Sequence, residues 1–499
     1  MIRDILTRKP FARVLPNGYM GGRVVTDLKD ESYRELPEKI TWQTMPQADF
    51  IREFYPSGHR INNPQFYPNL LKYDEERKTY FEERLSRVSF PFQMIITIQH
   101  LIHLCGNDIK HELTDSAVND RNNELFLEFR QGWLDRNMEI AFYEFAKSVK
   151  ITGDGAIVYF MHKGRVCTKT LSFLNGDALF PQYDSLTGEM SAFARLYSDY
   201  GEDGKILTSY VEVWDDEYMY TYRRRARGVR GVISGIKDAF GLDSYELIDK
   251  KRHGFPECPI VYHRDKNGPC WSFVQDAIEK YEESITYLFQ NNKAYAFPIM
   301  YFKGEDVNIV GDKGNIYSPV KAVTMGQDDD AGFLSRPESV SSFQLQIETL
   351  LKMIFMGSFT VMPPEVKSGD LPGIAVKLIY SPSLERAMAD CTEFNPAIDK
   401  MNRLFLYGWG IEQGKSTQYA SLHITSYATP YVHHSETEII SNLVQSCGAG
   451  ILSKETGAGL TGLGMNNEWD RLIREKKEEQ AADLLFELKS KPAGTDGNS

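Results

Sequence analysis

The sequence predicts an α+β protein built from several successive parts. Up to about residue 150, apolar residues recur with the period of helices. Between residues 156 and 224 the period changes to two, and Asn, Asp and Gly turns separate the runs, as in an antiparallel sheet. Beyond residue 270, long amphipathic stretches flank a Gly- and Asp-rich excursion. With 499 residues, the chain is long enough for two to four domains or one elongated subunit.

The first part is expected to contain three helices. Residues 68–87 read as a charged helix. Residues 92–107 read as an apolar helix whose end at Gly106 suits a C-cap. A third helix is predicted to run without interruption from residue 122 into the Gly-Asp-Gly turn that ends at residue 155.

The sheet is predicted from short alternating runs, and it carries the dense basic run of the chain. These runs lie at 156–162, 165–173, 190–198, 209–216 and 217–224, with a final strand before residue 269. The basic run consists of Arg223, Arg224, Arg225, Arg227 and Arg230. Two interpretations stay open: an exposed hairpin tip, which we favour, or a patch that contacts DNA or an acidic partner.

The helix predicted from residue 272 to residue 295 has two unlike sides. Apolar residues recur along one stripe, at Val274, Ile278, Tyr281, Ile285 and Leu288. Asp276, Glu279 and Glu283 fall on the opposite side. One side should pack against protein while the other presents carboxylates to an acidic, water-filled passage. Ser272, with a glutamine three residues later, predicts a capping box at the start of this helix.

Two further long helices are predicted beyond the excursion. The first covers most of residues 341–357. A segment rich in Pro and Gly follows, which prevents regular structure. The second runs from residue 374 to about 407, where Pro382 and Pro396 should kink or break it.

The C-terminal part is expected to contain one strand and several short helices. Residues 420–430 alternate like a strand, and Ser453 is placed as the N-cap of a short helix. The last helix begins at residue 466 or 467 and carries oppositely charged pairs four residues apart. The tail at 491–499 is expected to be disordered.

Composition excludes several classes of protein. The hydrophobic fraction of 42% and the charged fraction of 25% are ordinary for a soluble protein, and no apolar run is long enough for a membrane span. The start of the chain lacks the features of a secretory signal, and six scattered cysteines without a CxxC pair are typical of reduced thiols. The net charge of −12 argues against a protein that grips duplex DNA. Any DNA that it meets should slide past.

No catalytic, nucleotide-binding or metal motif holds up under inspection. Residues 410–417 end like a phosphate-binding loop, but Trp409 occupies the position of the required first glycine, and the residues that follow look like a strand. His100 and His103 lie on the apolar helix without a cysteine or carboxylate at ligand spacing, which favours core histidines over metal ligands. The sequence therefore predicts no enzyme, no cofactor and no metal.

Five segments resemble the portal proteins of tailed bacteriophages, in the family typified by the portal of the Bacillus phage SPP1. They begin at FQMIITIQHL, FYEFAKSVKI, CPIVYHRDKN, LPGIAVKLIY and GILSKETGAG, and they lie at 92–112, 142–166, 258–304, 371–404 and 450–479. Their order, spacing and total length carry the resemblance, which covers most of the chain beyond residue 85.

The resemblance implies an elongated portal fold in a ring of twelve subunits at one capsid vertex. The first implied parts on this sequence are a mainly helical N-terminal and wing part at 1–150 and a β-rich wing at 151–268. A stem helix at 269–296, a small α/β clip at 297–340 and a second stem helix at 341–357 would follow. The remaining parts would be a tunnel loop at 358–373, a long tunnel helix and return strand at 374–434, a helical crown at 435–490 and the tail at 491–499.

The resemblance also suggests roles for particular residues. The channel-lining candidates are Asp276, Glu279 and Glu283. The tunnel loop would contain Met362, Pro363, Pro364, Glu365, Val366, Lys367, Ser368, Gly369 and Asp370. The clip residues that would face terminase are Asp312, Lys313, Asn315, Lys321, Asp328, Asp329 and Asp330.

The function implied is a channel for double-stranded DNA, which passes without being read for sequence. The large subunit of terminase would pump DNA inward, and the same channel would release it during ejection. Capsid or scaffolding proteins and a neck adaptor protein are the other implied partners. The protein would be made in the host bacterial cytoplasm and reside at the portal vertex of the virion. Alternatives are another neck or connector ring component, or a minor head protein.

Overall fold

The computed structural model has the predicted α+β class with antiparallel sheets. Two compact units divide the chain: residues 1–363 with 382–431, and residues 364–381 with 432–499. None of the described helices is long and apolar enough to cross a membrane. The structure describes residues 51–74, 77–114, 120–184, 186–200, 206–224, 245–294, 300–303, 308–310, 322–324, 330–333, 340–362, 378–432, 436–453, 456–457, 471–478 and 480.

The predicted charged helix at 68–87 is wrong, because this stretch forms a β-hairpin. Strand β1 (Leu70–Asp74) pairs antiparallel with β2 (Thr79–Glu83). The rings of Tyr73 and Tyr80, which are directly opposite in the register, lie with centroids 5.0 Å apart. Aromatic cross-strand pairs favour strands, and here they outweigh the helix preference of the surrounding charged residues.

Helix α1 (Phe92–Cys105) ends where the sequence predicted, but Gly106 is not a left-handed cap. Its φ of −75° is helical. The glycine is required for a different reason, since a Cβ on it would lie 2.7 Å from Cγ of Tyr431. Tyr431 also donates its backbone N–H to the carbonyl of His103, so the end of α1 is fastened to the chain at this point.

The predicted uninterrupted helix at 122–155 is two helices. The short strand β3 (Lys110–Leu113) is followed by two helices, α2 (Asp120–Asp135) and α3 (Met138–Thr152). Asn137, the N-cap of α3, separates them with a left-handed φ of 52°. Asparagine tolerates this conformation better than most residues, so it can reverse the chain at this point. Helix α3 ends at Gly153, which has a φ of 83°, as the Gly-Asp-Gly turn predicted.

Two antiparallel sheets follow and pack on each other. The first has the order β11-β4-β5, from β4 (Asp154–His162), β5 (Arg165–Leu171) and β11 (Ile260–Arg264). The second, called here the five-stranded sheet, has the order β10-β9-β8-β7-β6. Its strands are β6 (Ala178–Tyr183), β7 (Met190–Tyr200), β8 (Ile206–Trp214), β9 (Tyr218–Arg224) and β10 (Tyr245–Arg252). A shared cluster that includes Ala156, Leu171, Phe193, Trp214 and Ile260 joins the two sheets.

Two long helices flank four short strands. They are α4 (Gln275–Ala294) and α5 (Val340–Gly357). Between them, β12 (Met300–Lys303) pairs with β15 (Asp330–Phe333), and β13 (Asn308–Val310) pairs with β14 (Ala322–Thr324).

Helix α6 (Ser381–Glu412) continues through Pro396, so of the two predicted effects of this proline, a kink or a break, the break does not occur. Apolar side chains on both sides of the proline, including Phe394 and Ile398, are buried in the main core with residues of α2, α3 and β4. Burial of several such side chains contributes more than the ~3 kcal/mol that a proline costs in a helix interior. Pro382 lies at the start of α6, where proline is tolerated.

After α6, the chain forms a one-turn helix and one strand. Helix α7 (Ser416–Ala420) precedes the predicted strand, and β16 (Ile424–Tyr427) lies inside the predicted run at 420–430 and pairs with β3. In the second compact unit, the described residues include α8 (Glu436–Gly448) and helical residues 471–478. The backbone N–H of Thr456 donates to Oγ of Ser453, as the predicted N-cap requires.

A buried ion pair ties α3 to α6 and gives a direct test of the fold. Nζ of Lys150 lies 2.7 Å from Oδ1 of Asp390, and both side chains are 1% exposed. We expect Asp390→Asn to destabilise the protein by about 3 kcal/mol, because the lysine charge stays buried without its counter-charge. The free energy of urea unfolding at fixed protein concentration measures this.

Asp399→Asn is the matched control for this test, since Asp399 lies on the same helix with a side chain that is 44% exposed. It should change the free energy by no more than about 0.5 kcal/mol. Equal losses in the two variants would contradict the role given to the buried pair.

Candidate functional site: an acidic helix and a basic sheet face

Helices α4 and α5 lie side by side and share an apolar seam. The buried cluster along this seam includes Trp271, Val274, Ile278 and Ile354. Near its middle, Nε2 of Gln346 donates to Oγ of Ser284 over 3.0 Å. The predicted apolar stripe of α4 therefore faces protein, as expected.

The predicted capping box at the start of α4 is wrong. Residues 272–274 form a turn of 3₁₀ helix, and the α-helix begins at Gln275. Oγ of Ser272 donates to the carbonyl of Pro269 over 2.6 Å, so it does not cap the helix. Gln275 is fully buried and accepts from Nε2 of Gln93 on α1.

The three predicted channel-lining carboxylates have different surroundings. Asp276 is exposed. The side chain of Glu279 is 18% exposed and lies 3.4 Å from Nη1 of Arg60. The side chain of Glu283 is 24% exposed and accepts from Nζ of Lys280, 2.7 Å away. Of these three side chains, Asp276 is therefore the most accessible to water in a single subunit.

A fourth acidic residue of α4, Glu282, is buried, and the sequence pattern did not single it out. Its Oε1 lies 2.6 Å from Nδ1 of His59 and accepts the backbone N–H of Phe90 over 2.8 Å. It lies four residues after Ile278, so it falls next to the apolar stripe. That position was the available signal, because a carboxylate beside a buried stripe needs partners from another segment.

Residues 51–67 supply those partners and cover one side of α4. Glu53, His59 and Arg60 lie against Glu279 and Glu282, and Glu53 is only 2% exposed. Burial, and secondarily the charge of Glu279, raises the pKa of Glu53 to about 8. Glu53 is therefore largely protonated at neutral pH, which limits the repulsion among the three carboxylates.

The chain leaving α5 is hydrogen-bonded to α1 at the beginning of the predicted tunnel loop, 358–373. The amide side chain of Gln99 bonds both the N–H and the carbonyl of Val361, at 2.9 and 2.8 Å. Burial lowers the pKa of His100 to about 4, so the ring is neutral, and its Nε2–H donates to the carbonyl of Ser358 over 2.8 Å. The side chain of Met362 is 51% exposed, whereas the other predicted loop residues, 363–370, lie outside the described residues.

The predicted basic run divides between the two faces of the five-stranded sheet. Arg223 points to one face, where Glu246 on β10 lies 2.6 Å away. Arg224 is the next residue along β9 and points to the other face. Arg225, Arg227 and Arg230 lie outside the described residues. Counting arginines along the sequence could not show this division.

A comparison with family models gives one match that spans most of the chain. Residues 38–482 match the family described as phage portal protein, SPP1 Gp6-like. The chain belongs to this family. The sequence resemblance to SPP1-type portals is thereby confirmed.

Comparisons with individual proteins add little to this assignment. No curated protein matches the chain. Among solved structures, a chain from the "Neck of empty GTA particle computed with C6 symmetry" is 12% identical, with a TM-score of 0.39, and the match covers 76% of this chain and 91% of that one. A likeness this low supports no statement about function.

Family membership makes the protein a structural component of a phage virion and gives no support to an enzymatic activity. In the portal protein, Lys415 of the loop-like motif lies 2.8 Å from both carboxylate oxygens of Glu128. No group of three metal-ligating side chains occurs among the described residues. His100 and His103 both hydrogen-bond backbone carbonyls, as core histidines do.

Six of the seven predicted terminase-facing residues lie outside the part of the chain that the structure describes. Asp312, Lys313, Asn315, Lys321, Asp328 and Asp329 lie outside the described residues. Asp330 begins β15 and is opposite Lys303 of β12 in the register. Their role in the portal protein stays a prediction.

The raised pKa of Glu53 predicts how stability depends on pH. The unfolded carboxyl releases its proton near pH 4.5 and the folded one near pH 8, so folding becomes less favourable as pH rises through that window. Glu53→Gln should remove this loss. At pH 8 the variant should be more stable than the native protein, by on the order of 2 kcal/mol.

Thermal unfolding midpoints between pH 5 and pH 8.5 measure this effect. Glu283→Gln, on the more exposed side of α4, serves as the control and should keep the native pH dependence. If Glu53→Gln parallels the native curve throughout, the carboxyl at residue 53 does not retain its proton in the folded protein.

Proposed function

We propose that the protein forms a ring at one vertex of the phage capsid, with a central channel for double-stranded DNA. The observation that carries this proposal is the match of residues 38–482 to the portal family. The ring would contain about twelve subunits. DNA would enter through it during packaging by terminase and leave through it during ejection.

The parts of such a ring would follow the order of the elements. Helices α4 and α5 would be the stem, and the short strands between them the clip that meets the large terminase subunit. The sheets and the helices before them would form the wing, which meets capsid or scaffolding proteins. Residues 358–373 would be the tunnel loop, with α6 behind it, and residues 435–490 the crown. A neck adaptor protein would bind the assembled ring before the tail attaches.

Exposed apolar side chains on both proposed stem helices support assembly through the stem. Leu345, Met353 and Met356 on α5 are 67%, 56% and 77% exposed. Phe273, in the 3₁₀ turn just before α4, and Phe289, on α4, are 62% and 54% exposed. A closed ring needs two different, complementary surfaces on each subunit, and a helix pair that is apolar on its outer sides can supply them.

Charge supports a channel that does not hold DNA. Twelve copies of a chain with net charge −12 carry about −144. The Debye length is about 8 Å at physiological ionic strength, so carboxylates lining a narrow channel still repel phosphates. Asp276, Glu279 and Glu283 are the proposed lining residues, with Asp276 the most exposed of the three.

Microscopy of the purified protein tests the ring directly. The expected result is a ring with a central hole in negative stain and a native mass near twelve times 57.1 kDa. The preparation should show no ATPase or nuclease activity. A monomer under all conditions of salt and concentration would overturn the proposal.

Neutralising the acidic side of α4 tests the role of the three carboxylates. The triple variant Asp276→Asn, Glu279→Gln and Glu283→Gln should form rings but package DNA more slowly, because phosphates are no longer repelled from the wall. A packaging assay with purified terminase and empty heads measures the rate. The control neutralises three exposed acids at turns of the five-stranded sheet: Glu189, Asp216 and Glu217. Native packaging rates in both variants would remove the proposed role.

A further inference from the structure

The two faces of the five-stranded sheet differ in how their charges are compensated. On the face that carries Arg223, each described strand cation has an acidic partner. Arg195 pairs with Asp177 and Glu212, Arg223 with Glu246, and Lys251 with Asp249, at distances of 2.5–3.0 Å. This face is therefore electrically balanced by the protein itself.

The opposite face, called here the tyrosine face, carries cations without acidic partners. It is formed on β9 and β10 by Tyr218, Tyr220, Tyr222, Leu247, Arg224, Lys250 and Arg252. The last three are exposed, and among the described residues no ion pair reaches them. The Asp215 carboxylate, in the turn between β8 and β9, accepts the backbone N–H groups of Glu217 and Tyr218 and also the hydroxyl of Tyr220, so it is the acidic group that reaches this face from the turn.

The tyrosines form a regular ladder with one cation over it. Ring centroids of Tyr218 and Tyr220 are 6.2 Å apart, and those of Tyr220 and Tyr222 are 6.5 Å apart. Nζ of Lys250 lies 3.9 Å from the Tyr218 centroid and 5.2 Å from the Tyr220 centroid. A cation held over aromatic rings keeps its full charge and remains available to an outside anion.

Beneath the ladder, small apolar side chains are sealed. Ala192, Ala194, Val211 and Val213 are at most 1% exposed, with Tyr220 and Tyr222 packed against them. Around Lys250 the accessible groups are therefore tyrosine rings, their hydroxyls and the lysine charge. The buried apolar side chains beneath them do not form an open pocket.

We propose that the tyrosine face binds double-stranded DNA through its phosphates. Most protein–DNA hydrogen bonds go to phosphate and sugar, from Arg, Lys and hydroxyl side chains such as Tyr, and they carry no sequence information. Arg224, Lys250 and Arg252 would neutralise phosphates, and the hydroxyls of Tyr218 and Tyr222 would donate hydrogen bonds between them, since the hydroxyl of Tyr220 is bonded to Asp215. The inference holds whether or not the ring forms, since it concerns a surface of one subunit.

Charge and shape favour DNA over an acidic protein. Protein partners are usually anchored by large side chains in desolvated pockets. On this face the small apolar side chains of β7 and β8 are covered by the tyrosines, and the apolar side chain exposed on β10 is that of Leu247. A polymer with charges at a regular spacing needs no such pocket. It needs cations on one face of the protein, and the alternation of side chains places Arg224 toward one end of this face and Lys250 and Arg252 toward the other.

Binding of a random-sequence 30-base-pair duplex to the full-length protein tests this proposal. The measurement is fluorescence anisotropy at several salt concentrations. The triple variant Arg224→Ser, Lys250→Ser and Arg252→Ser should bind roughly 10- to 100-fold more weakly at low salt, and the slope of log K against log salt should become shallower by about 2.7. Unfolding midpoints equal to the native value establish that the fold is kept.

The matched control removes three exposed cations elsewhere in the same compact unit: Arg165, Lys169 and Lys266. Any binding inside a ring channel is common to both variants, so only their difference reports on the tyrosine face. Equal affinities in the two variants would overturn the proposal. So would native binding to polyglutamate as strong as to DNA and lost in the first variant, because the face would then suit an acidic protein.

Discussion

The fold depends on the burial of one long helix. Helix α6 contributes Phe394, Ile398, Met401 and Phe405 to a core that also takes side chains from α2, α3 and β4. The hydroxyl of Tyr159 on β4 donates to the carbonyl of Met401, and the Lys150–Asp390 pair fixes α3 beside the same helix. Close packing leaves so little space that Gly408 and Gly132 have no room for a Cβ, against Val166 and Trp409 respectively. The helix keeps its course through a proline because these contacts determine it.

The acidic helix α4 is best understood as a helix with three surfaces. One packs on α5, one is covered by residues 51–67, and the rest, with Asp276, is open to water. The sequence pattern places Asp276 and Glu279 on the same exposed side of the helix. In the structure, these two carboxylates therefore have different electrostatic environments. In the proposed ring, residues 51–67 would remain packed on the stem helix, so their contacts would make the channel wall more rigid.

Sequence patterns predicted the elements whose own periodicity is strong. Helix α1, the strands β4, β5, β7, β8, β9 and β11, and the apolar stripe of α4 are where they were expected, whereas β6 and β10 were not predicted. The errors came where a contact from elsewhere decides the outcome. A cross-strand Tyr73–Tyr80 pair turns a charged stretch into a hairpin, and a left-handed Asn137 divides one periodic run into two helices.

The candidate site shows the same limit. The family and the acidic side of α4 could be read from the sequence, but the cluster around Glu282 could not, because His59 is 223 residues away. The opposite directions of Arg223 and Arg224 follow from the period of a strand. They were hidden only because the arginines were counted as a run.

The hydrogen bonds that hold Phe359 and Val361 bear on which residues of this protein can vary during evolution. Oγ of Ser383, at the beginning of α6, donates to the carbonyl of Phe359 over 2.9 Å, so the chain departs and returns at nearly the same point. The entropy of closing the intervening excursion grows only slowly with its length, by roughly 0.6 kcal/mol for each doubling. Natural variants can therefore lengthen, shorten or rewrite those residues while the scaffold around them persists.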